Sequence, residues 1–467
     1  MRNQLFIIYP IHVSFYLSFI IDICLIHSLW ISIRLQVDND EMEIQSTSVA
    51  YKSSNHLLFF TPDIHSGTSN DLAISLHSFG HSLYLFNSKC SLPHFSPLFT
   101  TSISPQQYLR SNHHRGEVII PNNTICGLAN CKAFNMRYVR LLWSLFENDP
   151  LFRQVDAIVC MFYPSQCQNF IAFNKTTIFI PAHRFSIKRC SEADIHSLYK
   201  WMFEKPEAPV IVMAAGRYDA EYINYYSGRE VPYIIASSIL AYDPPIIYQP
   251  EFNHYLFAPF KYIKRGPEYR SNVTNACQTH GFNCSIVRIQ EIIHYPFELS
   301  DINRFKAAIL FPYAMLSYYI ADLVTTAIPL FVPSPNMMAR EGIGFDARNS
   351  DFSYCYTRAT ELPPHPNTKH PYSPEDHDPK AVEYWTQFAS FYTPCAVVFN
   401  DYDHLAILLK STNLSSVYEC NLRYRKSILH HNREVWKNLF PKIERNRRFP
   451  ESLEESLKWF NETTFFY

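Results

Sequence analysis

KAAILFPYAMLSYYIADLVTTAIPLFVPS, residues 306–334, is the stretch whose reading decides the fold. It opens with a continuous apolar run, KAAILFP (306–312), with no alternation of polar and apolar positions. That pattern suits a strand covered on both faces, as in a parallel sheet. A short loop follows, and then SYYIADLVTTA (317–327) reads as a helix with Asp322 entering it. A second apolar run, IPLFVPS (328–334), begins its strand at Pro329, seven residues beyond Asp322. Strand, loop, helix and strand in this order form a crossover unit, because two parallel neighbours need a long connection.

Working outward, the same rhythm recurs. HLLFF (56–60) and SLYLF (82–86) read as strands around the helical DLAISLHSFG (71–80), with Gly80 as the helix stop. EVIIP (117–121), DAIVC (156–160), TTIFIPA (176–182) and APVIVMAAG (208–216) read as further strands. Residues 135–148 and 191–203 show helical spacing between them, the latter opening on Ser191 as an N-cap. A proline-rich stretch, LAYDPPIIYQPEFN (240–253), breaks the pattern and reads as a linker. Beyond it, YLFAP (255–259) and CSIVRI (284–289) start a second series. Residues 336–379 read as irregular loop, and 379–392 and the 420s to 440s as helices. No internal repeat is visible. The expectation is an α/β chain of two facing Rossmann-like domains, residues 55–240 and 241–467.

The block at 306–334 resembles the donor site of GT-B glycosyltransferases, where an acid, a short helix and Gly-x-Pro follow a strand. Asp322 stands where that family usually has Glu, and Ala327 where it usually has Gly. The resemblance implies that Asp322 grips the ribose of a nucleotide sugar. It also implies that the helix start, at Ser317, faces the diphosphate, as a helix N-terminus suits an anion. The loop after the first strand, TPDIHSGTSN (61–70), resembles the acceptor side of the same cleft. Ligands of open parallel sheets sit beyond the carboxyl ends of strands. Asp63 and His65 are therefore candidate general bases for an acceptor hydroxyl, with Gly67 and Thr68 lining the loop. His183 and Arg184 follow another strand on the same rim. The basic loop APFKYIKRGPEYR (258–270) places Lys261, Lys264 and Arg265 where similar enzymes neutralise the leaving diphosphate.

The resemblance implies a nucleotide sugar as co-substrate, a glycan or glycoprotein as acceptor, and neither cofactor nor metal. Three DxD triplets (38–40, 376–378 and 401–403) are the alternative metal-holding pattern. Trp385, Phe388, Phe391 and Tyr392, at helical spacing, read as core rather than as a sugar platform. A second reading is a catalytically inactive lumenal or surface protein that retains the fold for binding. The Ala327 and Asp322 departures are its grounds.

Composition narrows the field. The 467 residues include only 10 Gly, where average usage of about 7% would give roughly 33. GxxxxGK[ST], GxGxxG and GxSxG are all absent, which removes the signatures of P-loop NTPases, simple Rossmann dehydrogenases, kinases and α/β-hydrolases. A net charge of −1 argues against nucleic acid as a partner. Residues 5–33 carry Asp22 as their only formal charge, long enough for a hydrocarbon core that needs roughly 20 residues. The expectation is a cytoplasmic tail and signal anchor (1–33), a polar stem (34–54) and a single-pass type II membrane protein facing the Golgi or endoplasmic reticulum lumen. A cleaved signal peptide is the rival reading. Six N-x-[ST] sequons, at Asn122, Asn174, Asn272, Asn283, Asn413 and Asn461, and closely spaced cysteines (126 and 131, 160 and 167, 277 and 284) agree with a glycoprotein in an oxidising compartment.

Overall fold

Continuous apolar runs can hide both of their faces only when helices cover the sheet on either side, and the chain builds two such sheets. The computed structural model describes residues 56–62, 71–73, 75–76, 78–85, 118–119, 136–161, 167–181, 202–204, 210–237, 246–258, 265–293, 299–344, 364–445 and 447–456. All of these belong to the unit spanning 55–467. The expected anchor and stem lie outside the described residues. Among the described residues, no helix is long and apolar enough to cross a membrane.

The first sheet comprises β1 (Leu58–Thr61), β2 (Ser82–Leu85), β3 (Val118–Ile119), β4 (Ala157–Cys160), β5 (Thr176–Phe179) and β6 (Val210–Val212). Its order is β3-β2-β1-β4-β5-β6 and every pairing is parallel. The second comprises β7 (Tyr255–Ala258), β8 (Ile286–Val287), β9 (Ala307–Leu310), β10 (Leu330–Pro333) and β11 (Val397–Phe399), ordered β11-β10-β9-β7-β8 and again parallel. In each sheet the strand order reverses beside the first strand, between β1 and β4 and between β7 and β9. Such switch points leave a crevice at the carboxyl edge. Two parallel-sheet α/β halves are thus present, as the sequence pattern indicates.

The described helices include α1 (Met136–Phe146), α2 (Pro150–Arg153), α3 (Arg217–Ser227), α4 (Gly266–Thr279), α5 (Tyr318–Thr325), α6 (Pro335–Arg340), α7 (Pro379–Thr386), α8 (Tyr402–Ser411) and α9 (Leu414–Leu439). The first core centres on Phe60 of β1, whose ring meets Phe146, Phe152, Phe170 and Tyr84 at 4.9–5.4 Å between centroids. In the second, Phe311 stacks on Tyr269 at 4.6 Å and on Phe257 at 5.8 Å. Trp385 and Phe391 are fully buried and Phe388 nearly so, the core role their spacing indicates.

Two local expectations change. The segment read as loop from 336 begins with α6, where Ser334 Oγ accepts from the Met337 amide and Pro335 occupies the first turn. The helix expected over 379–392 ends at Thr386. Beyond it the amides of Phe388, Ala389 and Tyr392 take three-residue turns. The amide and hydroxyl of Ser390 are both drawn to the Met315 carbonyl, at 3.1 and 3.0 Å. Disulfides join Cys160 to Cys167 and Cys277 to Cys284, and a third joins Cys395 to Cys420 across 25 residues.

After α9 the chain returns to the first sheet. Phe440 packs edge-on against His81 at 4.5 Å and near Phe79 and Phe59. Phe449 covers Phe173 and Trp143, and Ser456 Oγ donates to the Ala172 carbonyl. Burial, helped by His56 and Arg445 nearby, pushes the His81 imidazole down to about 4. The native state therefore binds fewer protons than the unfolded chain between that value and 6.5. This contribution to stability is present above pH 6.5 and is lost as pH falls toward 4. Unfolding midpoints measured from pH 7 to pH 4 should decline, and His81→Asn should flatten that part of the profile; an unchanged slope in the variant would contradict the assignment.

Candidate functional site

The carboxyl ends of the two sheets meet. Gly216 follows β6 and starts α3, and a Cβ placed there would lie 3.6 Å from Leu316, in the loop between β9 and α5. The glycine backbone is extended, so it serves close approach rather than an unusual turn. Asp219, in the first turn of α3, is buried, so this helix start already carries an acid at its positive end. The junction leaves the β7/β9 switch point as the crevice of the second sheet. Its described rim comprises Arg265, ahead of α4, and residues 311–317, ahead of α5.

Ser317 is the N-cap residue of α5, extended at φ −154° and ψ 154°, and makes no side-chain capping bond to the helix amides. Its hydroxyl is buried beside the phenols of Tyr313 and Tyr319, whose rings stack at 5.5 Å. Burial raises both phenols above their ordinary range. Both rings thus stay neutral near pH 7. The first turn of this helix carries no acidic side chain, and its uncapped amides suit an anion.

Asp322 lies in the body of α5, is buried (6% exposed), and is engaged within the protein. Arg265 stands at the crevice, but its guanidinium is occupied. Nε and Nη2 donate to Glu268 at 3.1 and 2.9 Å, and Nη1 donates to the Glu341 carbonyl at 2.5 Å. It also lies over the Tyr269 ring. Arg270, farther along α4, is held bidentately by Glu291. Asp63, His65, Gly67, Thr68, His183, Arg184, Lys261 and Lys264 lie outside the described residues. Of the expected site, Arg265 and Ser317 both follow the carboxyl ends of the neighbouring strands β7 and β9, and Asp322 lies farther along α5.

The two DxD triplets in the described region serve the backbone. Asp376 accepts from the Asp378 amide, Asp378 caps α7, and Asp401 caps α8. Among the described residues no group of three or more His, Cys, Asp or Glu could hold a metal ion. The stacked Tyr313–Tyr319 pair was not anticipated from the sequence, where the FPY and SYY triplets flanking the loop were the available signal.

Ala327, in the glycine position of the resemblance, adopts φ +62° and is fully buried. The left-handed turn that glycine favours is therefore kept by an alanine.

No protein-family model matches this chain, and no curated protein matches it. Among the solved structures similar to it are two glycosyl-transferring enzymes. One is the glycotransferase of kitacinnamycin, 8% identical with a TM-score of 0.39, covering 84% of this chain and 99% of that one. The other is the glycosyltransferase SnogD from Streptomyces nogalater, 10% identical with a TM-score of 0.38, covering 84% and 100%.

The left-handed conformation costs a non-glycine residue about 1–2 kcal/mol. Replacing Ala327 by glycine would relieve that strain. It would also add about 0.4–1 kcal/mol of unfolded-chain entropy and lose about 0.8 kcal/mol of methyl burial. Ala327→Gly should thus change stability by less than about 1 kcal/mol, and Ala327→Val should lower it by more than about 1 kcal/mol. Urea unfolding of the three proteins checks this, and equal tolerance of valine would contradict it.

Proposed function

We propose that this chain is a GT-B-like glycosyltransferase that moves a sugar from a nucleotide-sugar donor to a hydroxyl of a glycan or glycoprotein. The observation that carries the reading is the meeting of two parallel sheets at their carboxyl ends, with the uncapped start of α5 at the switch point of the second. The β9–α5–β10 block that forms this rim is also the block carrying the sequence resemblance.

In this reading the donor diphosphate sits at the Ser317 end of α5. The amides there offer hydrogen bonds, and the helix dipole favours the charge that grows on the leaving group. Arg265 contributes positive potential from the facing loop and reaches the diphosphate by exchanging its bond to Glu268. Asp322 orients α5 and, through it, the ribose pocket. The acceptor enters from the first sheet, where Asp63 and His65 are the candidate bases on the loop after β1, lined by Gly67 and Thr68. Lys261 and Lys264 extend the basic side of the donor crevice. The protein acts in the secretory pathway as a single-pass type II membrane protein, its body in the Golgi or endoplasmic reticulum lumen. The three disulfides among the described residues support an oxidising compartment.

A second reading, a catalytically inactive binder of the same fold, is favoured by the occupied guanidinium of Arg265 and the burial of Asp322. The full chain should be screened against common nucleotide sugars by thermal unfolding and by sugar transfer or donor hydrolysis. A cognate donor at a hundred times its Kd should add about 2.7 kcal/mol and raise the midpoint by several degrees. It should also be turned over, with Ser317→Ala weakening donor binding about tenfold, as expected for the loss of one hydrogen bond near a charged group. Stabilisation without turnover would favour the second reading, and no stabilisation by any donor would overturn both.

A further inference from the structure

Four of the six sequons fall among the described residues, and the fold treats them differently. Asn174 is the most constrained. It sits in the left-handed region at φ +53°, and its Nδ2 donates to the Arg448 carbonyl at 3.2 Å. Its Oδ1 accepts from Arg447 Nη2 at 2.8 Å and Nε at 3.2 Å. The hydroxyl residue of that sequon, Thr176, is buried in β5 and accepts from the Glu444 amide. Asn272 lies half-buried inside α4, beside the Tyr402 phenol.

Asn413 and Asn283 are both exposed. Asn413 caps α9 with Oδ1, which accepts from the Ser416 amide at 3.1 Å, while its Nδ2 has no partner among the described residues. A substituent on Nδ2 leaves that cap intact. Asn283 follows the turn at Gly281, where a Cβ would meet nothing within 4 Å, and precedes Cys284 of the Cys277–Cys284 disulfide.

From this contrast we infer that Asn413 and Asn283 carry N-linked glycans in the folded protein, and that Asn174 and Asn272 are bare. The step is transfer of an oligosaccharide from a lipid-linked diphosphate donor. A bond forms between the sugar C1 and Asn Nδ2, the bond from C1 to the donor oxygen breaks, and the amide proton leaves with the released lipid diphosphate. A glycan on Asn174 would displace its bond to Arg448 and crowd the Arg447 clamp that fastens the C-terminal arm to β5. Breaking charge-assisted bonds of this kind is costly. Because Arg447 is made more than 270 residues after Asn174, the exclusion acts on which molecules reach the folded state. The inference rests on the lumenal placement proposed above and not on catalysis.

The test is glycopeptide mapping of the full chain from a eukaryotic secretory host. Microsomes are first treated with protease to establish which side of the membrane the body occupies. Residues that become Asp on amidase deglycosylation are then read in the folded, protease-resistant pool. The expected result is a protected body with occupancy at Asn413 and Asn283, none at Asn174 or Asn272, and one glycan lost in each of Asn413→Gln and Asn283→Gln. A protected body with bare Asn413 and Asn283, or with occupied Asn174 or Asn272, overturns the inference and leaves the lumenal placement standing. An unprotected body overturns both.

Discussion

Two amide side chains on α9, one buried and one half-buried, hold the halves of the molecule in place. Asn421 is 5% exposed, and its Nδ2 donates to the carbonyls of Ala327 and Ile328, at 3.3 and 2.9 Å. Three turns farther along, Asn432 pairs with Ile235 in both directions, at 2.8 Å each, and His431 Nε2 lies 2.9 Å from the Tyr233 carbonyl. One helix thus satisfies backbone groups of the β9–α5–β10 block and of the segment that follows the first sheet. A buried carbonyl left unpaired costs about 1–3 kcal/mol, so these bonds fix position as well as adding stability. The left-handed turn at Ala327 points two successive carbonyls at the same amide, which gives that backbone conformation its structural use.

The arm after α9 extends the constraint. Phe440, Phe449, Arg447 and Ser456 return the chain to the first sheet, so its core is completed by residues from the far end of the sequence. The Gly216–Leu316 contact then follows from how α9 and the arm hold the two sheets, and the crevice lies where their carboxyl ends meet.

Much of this layout was legible in the residues. The runs at 56–60, 156–160, 306–312 and 328–334 have no polar alternation, and each became a strand covered on both faces. What escaped was set by partners distant in sequence. The helix begun at Pro379 stops because Ser390 is drawn to Met315, which no local pattern encodes. Cys395 and Cys420 pair across 25 residues, beyond any close-spacing reading. The helix at 335–340 was readable from Ser334-Pro335, a cap followed by a first-turn proline. At the site, loop positions beyond the strands were legible for Arg265 and Ser317. The engagement of Arg265 with Glu268 and Glu341, and the burial of the Ser317 hydroxyl beside the tyrosine rings, depend on three-dimensional neighbours. The scarcity of glycine also gains a physical meaning: at position 327 the fold keeps the glycine-type turn and accepts an alanine in it.

In the proposed function, the start of α5, at the β7/β9 switch point, receives a nucleotide diphosphate. The most direct measurement is a crystal structure of the full chain with the nucleoside diphosphate of whichever donor stabilises it. The expected result is a diphosphate against the amides beside Ser317, with the Arg265 guanidinium turned from Glu268 toward it. A diphosphate bound elsewhere, with the α5 start empty and Arg265 still on Glu268, would contradict it.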